Sequence, residues 1–223
     1  MKPLGWQKIG DECSRRAALL LGVTMLLAAT ALLRPGLAAA PSILIYGDSL
    51  SAAYGLSPAE GWGHLLEKRL PKSPAWRVVN RSLSGETTHG GLQRFERVLG
   101  QVRPRIVVLA LGANDALRGL SLAHTEQNLR DMIRAARQVG SEVVLVGIAV
   151  PPNYGATYAN QFQAIFPRLA KAEGVRLVPF MLEGFATDLR YFQTDRIHPN
   201  AAAQPRILDT IWAVLSPLLE QGR

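Results

Sequence analysis

Short apolar segments alternate with longer amphipathic segments along most of the chain, and no other feature of the sequence limits the fold as strongly. The apolar segments are rich in Val, Ile and Leu, as is typical of strands buried in a parallel sheet. We predict strands at residues 42–46, 77–80, 106–111, 142–148 and 176–178. Apolar residues at helical spacing predict helices at residues 62–69, 91–99, 125–139, 160–172 and 207–218. This alternation predicts an α/β fold, with a parallel sheet covered by helices on both faces.

Composition supports one domain without a nucleic-acid partner. The chain has 223 residues, 48% of them apolar, which is enough for one sizeable core. No repeat or low-complexity linker interrupts the alternation, so we assign residues 41–223 to one domain. The net charge is +8 for the chain and +5 for residues 41–223. We find no basic stripe with interleaved aromatic residues, so this charge indicates a solvated surface.

Ser49 lies directly after the first predicted strand, in the sequence Gly47-Asp48-Ser49-Leu50. Open α/β sheets bind ligands at the carboxyl ends of their strands, so Ser49 is a candidate nucleophile. A serine hydroxyl needs a base to accept its proton, and that base needs a carboxylate to orient it. Asp195 and His198, with two residues between them in one turn, supply both groups. Asp48 is expected to hold the turn of Ser49 through hydrogen bonds.

Two further loops offer donors for the oxyanion that develops in acyl transfer. Gly85 follows the second strand, and its backbone N–H is not obstructed by a side chain. Asn114 follows the third strand and carries a side-chain amide. Asp115 is expected to fix the Asn114 loop. The sequence therefore predicts the parts of a serine hydrolase on loops at one edge of the sheet.

These residues resemble the four blocks of the SGNH/GDSL hydrolase family, with Ser49 in GDSL, Gly85, Asn114 in GAND and His198 in DRIHP. The longer phrases YGDSLSAAYGL, PNYG and IHPN are similar to a branch of bacterial periplasmic esterases. Members of that branch are variously called arylesterase, acyl-CoA thioesterase I, protease I and lysophospholipase. The resemblance implies a flavodoxin-like three-layer sandwich with about five parallel strands.

The resemblance also implies an activity and a set of roles. The expected enzyme hydrolyses short- to medium-chain carboxylic esters, and also acyl thioesters or lysophospholipids, through an acyl-serine intermediate. Ser49 would be the nucleophile, His198 the base and Asp195 its orienting carboxylate. The oxyanion would be bound by Ser49 N–H, Gly85 N–H and the Asn114 amide. Four side chains are candidate walls for the acyl group or ordinary packing residues: Tyr54, Leu117, Tyr154 and Phe192.

Each candidate also has a purely structural interpretation. A serine after a strand is commonly a turn or helix cap, and Asp-x-x-His-Pro is commonly a capped turn. Gly85 can simply adopt a positive φ, and Asn114 can cap the turn before Ala116. A non-catalytic binding module, or a membrane-anchored envelope protein with this fold, is therefore the alternative. A covalent serine probe distinguishes the enzyme from the module, because the module is not labelled.

Motifs for other chemistries are absent from the sequence. His64, His89 and His124 have no partner at metal-ligand spacing, so we predict no metal and no cofactor. There is no G-x-S-x-G elbow and no P-loop, which argues against an ordinary α/β-hydrolase and against phosphoryl transfer. The expected partners are small-molecule esters, thioesters or lysophospholipids, and the protein is expected to be a monomer.

Residues 1–40 have the pattern of a secretory signal peptide, which predicts a periplasmic or secreted protein. Arg15 and Arg16 precede an apolar run at residues 17–33, and small residues follow at 38–40. A twin-arginine route stays open, although Ala18 stands where a large residue is usual. A retained anchor also stays open, because this run approaches the shortest span of a bilayer. The cleavage position is approximate, since Pro41 obstructs cutting directly after residue 40.

Overall fold

Five parallel strands form the central sheet of the computed structural model, which describes residues 40–72 and 75–220. The strands are β1 (Ser42–Gly47), β2 (Arg77–Asn80), β3 (Ile106–Ala110), β4 (Glu142–Val146) and β5 (Arg176–Val178). Their order in the sheet is β2-β1-β3-β4-β5, and every neighbouring pair is parallel. This is the strand order of flavodoxin-like folds, so the predicted fold class is confirmed.

Helices cover both faces of the sheet. They are α1 (Trp62–Arg69), α2 (Thr88–Val102), α3 (Ala113–Leu117), α4 (Leu122–Gln138), α5 (Ala156–Glu173) and α6 (Gln204–Glu220). Helix α1 packs against α6, while α4 packs against both α2 and α5. Short 3-10 helices occur at Pro58–Glu60, Pro152–Tyr154, Leu189–Tyr191 and Ala201–Ala203. Within the described ranges, no helix combines the length and the hydropathy that crossing a membrane requires.

The core lies on both sides of the two central strands. Every residue of β1 and β3 is buried, and the side chains of Ile43, Leu44 and Ile45 have no exposed surface. Each such side chain contributes about 1.5–3 kcal/mol by leaving water. Strand β2, at the edge of the sheet, is only partly buried. The uninterrupted apolar runs of β1 and β3 thus reflect helices on both faces.

The register of the sheet brings three strand-following loops together. In the pairing of β1 with β3, Gly47 lies opposite Ala110, and in the pairing of β1 with β2, Ile45 lies opposite Asn80. The carboxyl end of β1 therefore lies between the carboxyl ends of β2 and β3, and all three lie at one edge of the sheet. A Cβ at Gly47 would lie 2.8 Å from the carbonyl oxygen of Ala110, which explains the glycine before Ser49.

Some predicted helix starts were wrong because side-chain caps begin the helices earlier. Helix α2 begins at Thr88 instead of 91, since the Thr87 hydroxyl accepts the Gly90 N–H at 3.2 Å. Helix α4 begins at Leu122 instead of 125, with Ser121 as its N-cap. Helices α5 and α6 also begin a few residues early, although the N-cap of α5 is Gly155, which has no side chain to act as a cap. The predictions of helix 62–69 and of strands 77–80 and 176–178 were correct.

Two predicted strands were too long. Strands β3 and β4 end at Ala110 and Val146, although the apolar residues that follow, Leu111 and Ile148, are buried. Buried residues therefore continue beyond the end of each strand, so the apolar pattern alone does not show where the strand ends. The predicted signal peptide, with its apolar run at 17–33, lies outside the described residues.

Candidate active site

Ser49, His198 and Asp195 are joined by hydrogen bonds. His198 Nε2 lies 3.0 Å from Ser49 Oγ, and His198 Nδ1 lies 2.6 Å from Asp195 Oδ2. Ser49 and His198 are partly buried, and they are 149 positions apart in the chain. The structure thus brings together the three residues that the sequence indicated for a nucleophile, a base and an orienting carboxylate.

Asp195 is held in its ionised form. Burial opposes ionisation, but hydrogen bonds from the backbone N–H groups of His198 and Ile197 and from the His198 ring lower its pKa to about 2. The two N–H groups lie 3.0 and 2.9 Å from Oδ1. One carboxylate oxygen therefore fixes the loop, while the other faces the imidazole. This arrangement favours the tautomer with a proton on Nδ1 and a free Nε2 facing Ser49.

The turn of Ser49 is fixed by Asp48, as expected. The Asp48 carboxylate accepts the Leu50 N–H at 3.1 Å, and its carbonyl accepts the N–H groups of Ser51 and Ala52. Asp48 is 2% exposed, and burial raises the pKa of its carboxyl to about 7 against the opposing effect of the Leu50 N–H. The charges of Asp115 and Glu86 raise it further.

Gly85 and Asn114 lie on two segments that flank the loop carrying Ser49. Gly85 has φ +80°, a conformation that favours glycine, and its carbonyl accepts Arg118 Nη2 at 2.9 Å. We predicted a loop at Asn114, but this residue lies in the short helix α3 that follows β3. Its Nδ2 donates to the Glu86 carbonyl at 3.0 Å. The Gly85 loop is thus linked by one hydrogen bond to Asn114 and by another to Arg118, which follows α3.

Asp115 has a wider role than fixing the Asn114 segment. Its carboxylate is buried and accepts the backbone N–H of Thr88 at 2.8 Å and the Thr88 hydroxyl. It also accepts the Thr125 hydroxyl at 3.3 Å. The carboxylate therefore joins α3 to the beginnings of α2 and α4.

Contacts that the sequence did not indicate hold the His198 loop against the Ser49 loop. Gln193 Nε2 donates to the Tyr54 carbonyl at 2.8 Å and to the Pro199 carbonyl at 3.2 Å. A Cβ at Gly55, which has φ +73°, would lie 2.1 Å from Gln193 Oε1. Asn200 Nδ2 donates to the Arg190 carbonyl at 2.8 Å. Asn200 lies in the quoted IHPN phrase, whereas no sequence signal pointed to Gln193.

The four candidate acyl-wall residues lie in different surroundings. The Tyr54 ring stacks on His198 with centroids 4.3 Å apart and is 49% exposed. The Tyr154 hydroxyl donates to the Leu117 carbonyl at 3.1 Å, so these two residues lie side by side. Phe192 packs in an aromatic cluster with Phe185, with ring centroids 6.2 Å apart. Tyr54, Leu117 and Tyr154 therefore belong to loops or short helices at the carboxyl edge of the sheet.

An apolar hollow lies at the carboxyl ends of β1, β3 and β4. Its lining includes Leu50, Ala113, Ile148 and Met181, together with the buried Asp48. Among residues 40–72 and 75–220, no three His, Cys, Asp or Glu side chains cluster as metal ligands. The residues that the structure assembles are thus suited to proton transfer and to binding an oxyanion.

Comparison with known proteins places these features in a family. A sequence profile of the GDSL-like Lipase/Acylhydrolase family matches residues 45–205. The chain is 47% identical over 183 residues to Esterase TesA of Pseudomonas aeruginosa, covering 82% of this chain and 91% of the relative. It is 42% identical over 182 residues to Thioesterase 1/protease 1/lysophospholipase L1 of Escherichia coli K12, covering 82% and 86%.

A solved structure is also similar. The psychrotrophic esterase EstA of a Pseudoalteromonas species, in a crystal structure inhibited by monoethylphosphonate, superposes with a TM-score of 0.76 at 36% identity. The match covers 80% of this chain and 98% of that structure.

Proposed function

The chain belongs to the GDSL-like Lipase/Acylhydrolase family and is a serine esterase, and from this premise we propose that Ser49, His198 and Asp195 catalyse two-step acyl transfer. In the first step, His198 Nε2 accepts the Ser49 proton as Oγ attacks the carbonyl carbon of the ester. Asp195 stabilises the charged imidazole through Nδ1–H. The alcohol leaves with the proton from His198, and water then attacks the acyl-serine in the same way.

The oxyanion formed in both steps is bound by three donors in this proposal. They are the Ser49 N–H, the Gly85 N–H and one N–H of the Asn114 amide. The order β2-β1-β3 supports this assignment, because the Ser49 loop lies between the other two. Such donors stabilise charge that develops only in the transition state, and losing one costs about 3 kcal/mol of barrier.

The 3.0 Å contact between Ser49 Oγ and His198 Nε2 is the observation that carries the proposal. We expect Ser49→Ala to abolish hydrolysis of short aryl esters and labelling by a fluorophosphonate probe, with an unchanged circular dichroism spectrum. Ser84→Ala is a matched control, because it removes an exposed hydroxyl from a neighbouring loop. A Ser49→Ala enzyme that hydrolyses esters at the wild-type rate would overturn the proposal. A wild-type protein that takes up no probe would instead support a binding module.

The proposed substrates are small acyl esters and thioesters of short to medium chain length, and lysophospholipids. Exposed aromatic side chains beside His198 and α3, Tyr54 at 49% and Tyr154 at 37% exposure, support an open acyl site that tolerates several leaving groups. Tyr54, Leu117, Tyr154 and Phe192 are its proposed walls. Measuring kcat/KM for p-nitrophenyl esters of increasing chain length, in wild type and in Tyr154→Ala, tests this. The variant is expected to lose more activity on longer acyl chains.

We further propose that the enzyme is exported as a monomer and acts in the periplasm or outside the cell. The signal pattern of residues 1–40 supports export. N-terminal sequencing of the protein from a periplasmic extract is expected to begin near residue 41. Recovery of the intact chain in the membrane fraction would favour the retained anchor instead.

A further inference from the structure

The Asn114 amide has only two N–H groups, and the protein already occupies one of them. Nδ2 donates one N–H to the Glu86 carbonyl at 3.0 Å, so only the other is available for an oxyanion. The direction of that free N–H is set by the position of the Glu86 carbonyl. Because Gly85 directly precedes Glu86, one dipeptide positions two of the three proposed donors.

The side chain of Glu86 anchors this dipeptide. Its Oε2 accepts Arg94 Nε at 2.7 Å, and the two side chains are only 11% and 17% exposed. Its Oε1 lies against Gly90, where a Cβ would be 2.3 Å away. The carboxylate is therefore fixed by Arg94, eight residues further along the chain in α2.

Arg94 is in turn fixed by the core. Its guanidinium lies over the Tyr46 ring, 4.2 Å from the centroid. Tyr46 is fully buried in β1, and its hydroxyl donates to the Gly91 carbonyl at 2.6 Å. Within the part of the chain that the structure describes, Arg94 Nη2 is buried without a hydrogen-bond acceptor. Stacking on the aromatic face thus adds to the hydrogen bond of Nε in holding the guanidinium, since Nη2 has no acceptor of its own.

We propose that Arg94 is a positioning residue for ester hydrolysis, which through Glu86 holds the Gly85 N–H and the Asn114 amide in place for the oxyanion. The inference rests on the proposed oxyanion roles of Gly85 and Asn114. If the ion pair of Arg94 and Glu86 merely stabilised the start of α2, its loss would lower the free energy of unfolding without a selective effect on the transition state of the reaction. If it positions the donors, its loss lowers kcat and leaves ester binding in the ground state nearly unchanged.

The main test compares Arg94→Met with Arg69→Met. Arg69 is a matched control, because it also combines an ion pair, 2.6 Å from Asp209, with an aromatic contact, 5.6 Å from the Trp212 ring centroid, between α1 and α6. Arg94→Met is expected to lower kcat for a short aryl ester by about tenfold to a hundredfold, because small displacements of catalytic groups are costly. Its KM is expected to stay near the wild-type value, and Arg69→Met is expected to keep both constants.

A second readout uses binding of a transition-state analogue. An aryl boronic acid forms a tetrahedral anion on the serine, so its Ki should rise by the same factor as kcat falls in Arg94→Met. Glu86→Gln keeps an acceptor for Arg94 but removes the charge, so its kcat should lie between those of wild type and Arg94→Met. Glu86→Gln also carries the test if Arg94→Met does not fold.

The double variant with Asn114→Ala separates this inference from the proposed function. Adding Arg94→Met to Asn114→Ala should cost less than it does in wild type, because the amide that it positions is already gone. Two results would overturn the positioning role alone. In the first, Arg94→Met and Glu86→Gln have the same kcat as Arg69→Met. In the second, Arg94→Met lowers kcat and boronate affinity, but its effect is fully additive with that of Asn114→Ala. An Asn114→Ala enzyme with wild-type kcat would overturn the oxyanion assignment itself.

Discussion

At the scale of single residues, the side-chain atom of residue 195 that faces the His198 ring decides which ring nitrogen carries the proton. In Asp195→Asn, Oδ1 can still accept the N–H groups of Ile197 and His198, so the loop should keep its shape. The amide NH2 would then face Nδ1 and donate to it, which moves the ring proton to Nε2. A protonated Nε2 cannot accept the proton of Ser49.

We therefore expect Asp195→Asn to lower kcat by about 10³–10⁴-fold with little change in thermal stability, as in other serine hydrolases. Steady-state kinetics and a thermal unfolding curve measure the two effects. Because the pKa of Asp195 is about 2, an acid loss of wild-type activity between pH 5 and 7 should not come from this carboxylate. Wild-type kcat in Asp195→Asn would mean that residue 195 does not orient the base.

At the scale of elements, two of the three glycines of α2, Gly91 and Gly100, lie in opposite surroundings. A Cβ at Gly91 would lie 2.7 Å from Leu111 Cδ1, with Tyr46 and Met132 also close, whereas a Cβ at Gly100 would have no neighbour within 4 Å. Helix α2 therefore packs closely on its neighbours at Gly91, whereas Gly100 lies on the solvent-exposed face of the helix. Gly91 serves packing, and Gly100 only weakens the helix.

This difference predicts opposite effects of the same substitution. Gly100→Ala should raise the free energy of unfolding by about 0.5–1 kcal/mol, because alanine loses less conformational entropy in a helix. Gly91→Ala should lower it by about 1–3 kcal/mol, since the added methyl group overpacks a filled core. Urea unfolding of both variants measures the contrast. Equal gains in the free energy of unfolding would show that the packing of Gly91 against Leu111 is loose.

At the scale of the whole molecule, two groups of carboxylates give the stability opposite pH dependences. The arginines beside Glu126 and Glu173 lower the pKa of these carboxyls, through hydrogen bonds from Arg168 and Arg134 above all. Their contribution is present above the unfolded pKa and is lost as pH falls through the folded one. Asp48 acts in the other direction, because burial raises its pKa to about 7 and favours its protonated form in the folded state.

Between pH 4 and 7 the folded protein therefore holds a proton on Asp48 that the unfolded chain has released, so stability falls as pH rises through this window. The loss is at most about 4 kcal/mol, since one pKa unit corresponds to about 1.4 kcal/mol. Asp48→Asn keeps an acceptor for the Leu50 N–H and should remove this loss. Urea unfolding at pH 5 and pH 8 at constant ionic strength is expected to show a smaller difference in the variant than in wild type. An equal difference would mean that Asp48 is not its source.

The sequence by itself determined the order of strands and helices, and with it the parallel sheet and the edge that carries Ser49, Gly85, Asn114 and His198. This was possible because the periodicity of apolar residues and the positions of loops after strands are local properties of the sequence. Short motifs also indicated the residues of the site. Helix starts were less predictable, since a cap such as Ser121 acts through one hydrogen bond that the apolar pattern does not contain.

Only the tertiary structure decided which atoms meet. The motifs predicted that His198 is the base for Ser49, but not the 3.0 Å approach of Nε2 to Oγ. No local pattern indicates the bridge from Gln193 to Tyr54 or the line of contacts from Tyr46 through Arg94 to Glu86. Each depends on side-chain directions that are set when the helices pack on the sheet. That packing selects contact partners that are distant in sequence. It cannot be inferred from one segment of the chain at a time.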